Sequence, residues 1–158
     1  MNLYQVMNEN RYTQITSTSD YKIFTFISEG RHGKLTKFVR FDKLDYWSDT
    51  YNIALGTVLE NGVIDYTGIT NNGDRNRLLA TVASIIFTFL EKNPGNAVYL
   101  TGSDLRRTLL YQRAINYAYE ELIQLFNIEG DISTGEDFSE FEPFDTSKNY
   151  YGFRVKRK

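Results

Sequence analysis

Apolar and polar residues alternate with a period of two through the first third of the chain, and the period then changes to that of a helix. Arg11 to Thr16 is a short alternating run, and Tyr21 to Glu29 is a stronger one. Gly30-Arg31-His32-Gly33 supplies a turn, and Lys34 to Phe41 returns from it. Aromatic and β-branched residues on a two-residue period fit a pleated surface, so these runs predict strands. Tyr21, Ile23, Thr25 and Ile27 lie on one face of the strong run, and Phe24 and Phe26 on the other. One face packs on a core; the other is covered by a second layer or offered to a ligand.

Asp42 to Thr50 is a polar connection that contains Trp47, and Tyr51 to Leu59 reads as the next strand. Asn61-Gly62, set between two strand-like runs, predicts a two-residue type I′ hairpin leading into Val63 to Thr70. Asn71-Asn72-Gly73-Asp74 then ends the strand pattern. Asp74 is a good N-cap for a helix from Arg75 to about Lys92. Leu78, Val82, Ile85, Ile86 and Phe89 follow helical spacing, and Leu79, Ala83, Phe87 and Leu90 widen the stripe, so this helix is largely buried. Asn93-Pro94-Gly95 stops it.

Ala97 to Leu100 is a short strand that meets Thr101-Gly102-Ser103, and a second helix opens at Ser103 or Asp104 and runs to about Phe126. Its stripe is Tyr111, Ile115, Ala118, Leu122 and Leu125; one turn back lies Arg107, which therefore points toward the protein body. Arg106 and Arg113 share a more exposed face. Ile128 to Ser133 reads as a short strand, and Tyr150 to the end as another. Between them is an acidic loop whose Phe138, Phe141 and Phe144 pin it to the body. The predicted fold is α+β in a single domain, 1–158. It has an antiparallel meander of four to five strands, two long helices on one face, extra short strands toward the C-terminus, and the last strand at an edge.

Composition narrows the chemistry. There is no Cys and one His, so thiolate chemistry is excluded and no metal site is expected. No cofactor is implied. Aromatics reach 15%, which fits either a β-rich core or a stacking surface for bases. The start of the chain lacks the pattern of a signal peptide, and the apolar stretch Leu78 to Leu90 is too short to span a bilayer, so a cytoplasmic protein without a membrane partner is expected. Net charge is −2 and argues neither way about nucleic acid, but the charges are blocked: residues 75–113 carry six Arg/Lys against two acids, and 114–147 carry nine acids and no Arg or Lys. Such blocks are solvated faces, or they steer an anionic partner.

Three candidate sites follow. Thr101, Gly102 and Ser103, with Arg106, Arg107 and Arg113, form a strand–turn–helix that could clamp an anion; the alternative is a capped helix whose Arg107 pairs with a carboxylate such as Asp74 or Asp65. The turn lacks the length and lysine of a P-loop. Asn71, Asn72 and Asp74 form a second polar loop, which serves as a structural turn or converges with the first. Phe24 and Phe26, with nearby lysines, suit a single-strand stacking platform; the alternative is a core face with a lysine-guarded edge. Arg154, Lys156 and Arg157 would add charge from the C-terminal tail.

Tyr51-Asn52…Gly56, Thr70-Asn71-Asn72-Gly73-Asp74 and, above all, Gly102-Ser103…Arg107-Thr108…Leu110-Tyr111 resemble a family of small, uncharacterised bacterial proteins, chiefly from Bacteroidetes. That resemblance spans nearly the whole chain and implies no activity. By layout alone, a meander followed by a helix is similar to the Pur-alpha and Whirly single-strand binders. The expected function is a non-catalytic binding protein for single-stranded nucleic acid or another polyanion. Its alternatives are an interaction component of a bacterial two-gene regulatory or defence system, meeting a protein partner, and a small-molecule enzyme at the Thr101–Arg107 turn. The sequence sets no oligomeric state and is compatible with a dimer.

Overall fold

The computed structural model describes residues 10–45, 49–66, 71–102, 105–133 and 140–158. The predicted features at Trp47, Thr70, Ser103, Asp104 and Phe138 lie outside these residues. The fold is α+β, with nine strands and three helices among the described residues. Every strand pairing with a defined register is antiparallel except one. No helix among the described residues is long and apolar enough to cross a membrane.

The chain divides into two compact units, each assembled from separate stretches: one from the chain up to Asp42 with Ile53–Lys92, the other from Lys43–Asn52 with Asn93–Lys158. The first contains β1 (Thr16–Ser17), β2 (Ile23–Gly30), β3 (Gly33–Lys43), most of β4 (Thr50–Val58), β5 (Ile64–Asp65) and α1 (Arg75–Lys92). Its strand order is β1-β2-β3-β4, with β5 on β4. α1 lies where the spacing puts it, because Val82, Ile85, Ile86, Phe89 and Leu90 form one buried stripe. Phe89, with no exposure, stacks on Phe41 of β3 at 4.1 Å.

Phe24 and Phe26 are a correction to the stacking platform. They are only 3% and 2% exposed. Phe24 meets Phe41 edge-on, and Phe26 stacks on Tyr12 at 5.7 Å. The period-two pattern places these rings together on one face, and that face is the one the unit buries.

The Asn61-Gly62 turn also differs from its prediction. Gly62 is left-handed at φ +82° while Asn61 is not, and the Gly62 amide donates to the Leu59 carbonyl at 2.9 Å. This is a type I turn followed by a left-handed glycine, the three-residue alternative to type I′. Arg11 to Thr16 does not form the predicted strand: β1 begins only at Thr16, and the Tyr12 amide donates to the Thr81 hydroxyl of α1 at 2.8 Å instead of to a ladder.

The second unit contains β6 (Ala97–Leu100), α2 (Leu105–Tyr117), α3 (Tyr119–Leu125), β7 (Phe126–Asp131), β8 (Phe141–Pro143) and β9 (Phe153–Arg157). The single predicted second helix is two, broken at Ala118 (φ −103°, ψ 14°). Neither proline nor glycine marks that point. Residues 50–52 of β4 pair parallel to β6, and β9 lies between β6 and β7. The C-terminal strand is therefore not at an edge: it has two partners, and Phe153 and Val155 are buried between them. Phe144 packs against Tyr150 and Phe153, so this ring of the acidic loop does pin it to the unit.

Candidate functional site

The most organised polar cluster lies in the first unit, where the β2–β3 turn meets the loop before α1. Gly30 and Gly33 close the hairpin and leave Arg31 and His32 at its tip. The side chain of Asn72, 3% exposed, holds this tip from below. Its Oδ1 accepts from the His32 amide at 2.7 Å, and its Nδ2 donates to the Gly33 carbonyl at 3.1 Å and the Ser28 hydroxyl at 3.0 Å. The Asn72 carbonyl accepts from the Arg31 amide at 3.0 Å. A Cβ on Gly30 would come within 1.8 Å of that carbonyl oxygen, so residue 30 has to be glycine for the two loops to meet.

Asp74 extends the cluster. Its carbonyl accepts from the Leu78 amide at 2.8 Å, which opens α1. Its carboxylate Oδ2 accepts from the Ser28 hydroxyl at 2.6 Å and the Tyr12 phenol at 2.5 Å. The Tyr12 oxygen in turn accepts from the Glu29 amide at 2.9 Å. Burial pushes the Tyr12 phenol above its ordinary value, and the hydrogen bond to Asp74 pushes the same way. Arg77 lies over the Tyr12 ring at 4.0 Å.

The network turns its carboxylate inward and its cations outward. Arg31, His32, Arg75 and Arg77 are all exposed. Arg31 lies close over Gly73, where an added Cβ would stand 3.7 Å from its Nε and 3.8 Å from one terminal nitrogen. Gly73 has φ +82°, a backbone that favours glycine. Ser28 has no exposure, and its hydroxyl donates to Asp74.

The turn at Thr101 is built differently. The Thr101 hydroxyl donates to the Tyr151 carbonyl at 2.9 Å, and the Gly102 amide donates to the Thr108 hydroxyl at 2.9 Å. Both groups are committed to the protein itself, as in the capped-helix alternative. Arg106 and Arg113 are exposed on α2, while Arg107 is half-buried and near Tyr111. Burial raises the Tyr111 phenol, and the Arg107 charge works against that rise. The Asp74 carboxylate offered as a partner for Arg107 instead receives Tyr12 and Ser28. The Asn71–Asp74 loop and the Thr101 turn belong to different compact units.

The C-terminal basic residues are engaged as well. Arg154 pairs with Glu129 through two nitrogens, at 3.0 and 3.2 Å, and lies over Phe141 at 4.0 Å. Lys156 pairs with Asp49 at 3.2 Å. Arg157 and Asn71 are exposed. Among the described residues no group of three His, Cys, Asp or Glu side chains gathers as a metal site.

Sequence reasoning singled out Asn72 and Asp74 but missed Tyr12, Ser28 and Arg31. Two turn signals were available, Gly30-x-x-Gly33 and Asn72-Gly73. Nothing local says that loops about 40 residues apart interlock, as the Asn72 bond to His32 shows.

The chain belongs to a family of unknown function, DUF6934, whose model matches residues 8–158. No curated protein and no solved structure matches it.

Proposed function

We propose that this member of an uncharacterised family is a non-catalytic binding protein for a polyanion, most simply the phosphate backbone of a nucleic acid. One observation carries the reading. Arg31, Arg75, Arg106 and Arg113 are exposed and make no ion pair among the described residues, whereas Arg40, Lys148, Arg154 and Lys156 are matched with Asp42, Glu142, Glu129 and Asp49. Part of the described basic surface is neutralised in pairs, and these four arginines are displayed. Guanidinium groups so displayed suit phosphate oxygens, which they meet with two parallel hydrogen bonds. With Phe24 and Phe26 in the core, base stacking at those rings plays no part, so the reading shifts from single strands to the backbone itself.

Fluorescence anisotropy with labelled single-stranded and duplex oligonucleotides tests this. Affinity is expected to fall steeply with salt, by roughly 0.9 in the log–log slope for each phosphate neutralised on duplex. Arg106→Ala with Arg113→Ala should weaken binding across all sequences. Affinity that ignores salt would sink the proposal.

A protein partner is the second reading, favoured by Leu105, Tyr117 and Tyr151 in the second unit, which are 70%, 94% and 58% exposed. Co-purification of a stable complex through those residues, lost in Tyr117→Ser, would favour it; a lone monomer would count against it.

A further inference from the structure

We propose that Arg31 is the leading phosphate contact of this protein and that Asn72 is its positioning residue. The inference rests on the polyanion reading above and says where and how that binding is organised.

An exposed arginine pays in side-chain and backbone freedom when it fixes a ligand, and a contact that is already ordered loses less. By that measure the exposed arginines are not equal. Arg106 and Arg113 stand exposed on α2, whose backbone is ordered by its own helical hydrogen bonds; what distinguishes Arg31 is its side chain, which lies close against a neighbouring loop. Arg31 stands on a two-residue hairpin tip whose backbone is held at three consecutive residues. Its own amide donates to the Asn72 carbonyl, the His32 amide to Asn72 Oδ1, and the Gly33 carbonyl accepts from Asn72 Nδ2. Asn72 is held in turn by Ser28, and Ser28 by Asp74. The Arg31 guanidinium lies close over Gly73, two residues before the exposed Arg75. A phosphate oxygen arriving there meets a guanidinium whose base is already set, with a second arginine next along the chain. The buried network below supplies order and contributes no ligand contact of its own.

The acidic group near this tip has to be reckoned with. Asp74 is the carboxylate of the cluster, and its Oδ2 receives two hydroxyl hydrogen bonds inside the network. Glu29 is exposed and pairs with Lys34 at 4.0 Å. Among the described residues neither forms an ion pair with Arg31, whose guanidinium is left to an incoming anion.

The test is the same oligonucleotide titration on the full chain, extended to a double-mutant cycle. Arg31→Ala should weaken binding about tenfold at low salt and reduce the salt slope by about one. Arg31→Lys keeps the charge but loses the planar fork, so it should restore the slope while recovering only part of the affinity. Asn72→Ala should weaken binding to a similar extent in the wild-type background and by no further factor in the Arg31→Ala background, because its effect runs through Arg31. Asn72→Ala lowers the melting temperature under either reading, since buried hydrogen bonds are lost; a merely structural Asn72 would in addition weaken binding in both backgrounds alike. Should Asn72→Ala fail to fold, the slope and affinity of the Arg31→Ala and Arg31→Lys variants decide the assignment of Arg31 by themselves. Binding within twofold of wild type in Arg31→Ala overturns the assignment. If wild type binds with salt sensitivity but only Arg106→Ala and Arg113→Ala weaken it, the assignment falls and the polyanion reading stands. If wild type shows no salt-sensitive binding, both fall together.

Discussion

Gly30 and Tyr12 show how much of this protein rests on single positions. An added methyl group at residue 30 would come within 1.8 Å of the Asn72 backbone oxygen, which no side-chain rotation relieves. Gly30→Ala should therefore destabilise the chain toward the upper end of the roughly 1–3 kcal/mol typical of overpacking, read as a lower urea midpoint with an unchanged slope. Tyr12 makes a prediction in pH. Burial, then the bond to Asp74, holds the phenol's proton more tightly in the folded state than its ordinary value of 10.0. A group raised in this way contributes stability that is fully present below the unfolded value and is lost as pH rises through the folded one. Stability should decline above pH 10 for this reason, and Tyr12→Phe should make the decline shallower. At neutral pH the same variant should cost about 1 kcal/mol, since the Glu29 amide and Asp74 each lose a partner. Thermal melts of both proteins from neutral to strongly alkaline pH check both statements. Asn72, Gly73 and Asp74 were legible as a turn because Asn and Gly tolerate left-handed backbone. Their partners were not, since a hydrogen bond from the residue 32 amide to the residue 72 side chain leaves no trace in local periodicity.

At the scale of elements, legibility follows the range of the interactions that define each one. α1 is legible from its stripe and its Asn93-Pro94-Gly95 stop, which are local; Asp74 stands at its start, but its carboxylate is taken by Tyr12 and Ser28 rather than by a helix amide. β2, β3 and β4 were read to within a few residues for the same reason. The break between α2 and α3 was missed, as Ala118 is a good helix former and only the surrounding structure turns it out of the helix. β9 was read as a strand but set at an edge. Its alternation of Phe153 and Val155 with Arg154 and Lys156 looks like that of an edge strand, and what makes it internal is non-local: Glu129 and Asp49 are brought to its charged side chains by β7 and the start of β4. An internal strand supports its unit more than an edge strand does. Phe153 has no exposure and packs against Phe144 and Tyr150. Phe153→Ala should cost about 3–5 kcal/mol, measured by denaturant unfolding, whereas a strand held on one side only would be expected to fray at far smaller cost.

At the scale of the whole molecule, the question is what a chain of net charge −2 gains by binding an anion at all. The distribution of its charges offers an answer that bulk charge does not. Among the described residues some cations are matched with acids, as at Arg40 with Asp42 and Lys148 with Glu142, while Arg31, Arg75, Arg106 and Arg113 make no ion pair, and on the proposed reading those four would supply the attraction. On that reading the attraction would sense phosphate density and be blind to bases. Aromatic stacking, which is worth about 1–3 kcal/mol per base, would have added a preference for open single strands. The rings proposed for it stand at 3% and 2% exposure, against Phe41 and Tyr12, and take no part. Competition between unlabelled poly(dT), poly(dA) and a mixed-sequence duplex, matched in phosphate concentration and ionic strength, should therefore give inhibition constants within a few-fold of one another. All three should weaken together as salt rises. A strong and salt-resistant preference for one single strand would mean that exposed rings elsewhere, Tyr117 or Tyr151 among them, contact bases, and that the arginines only bring the strand to them.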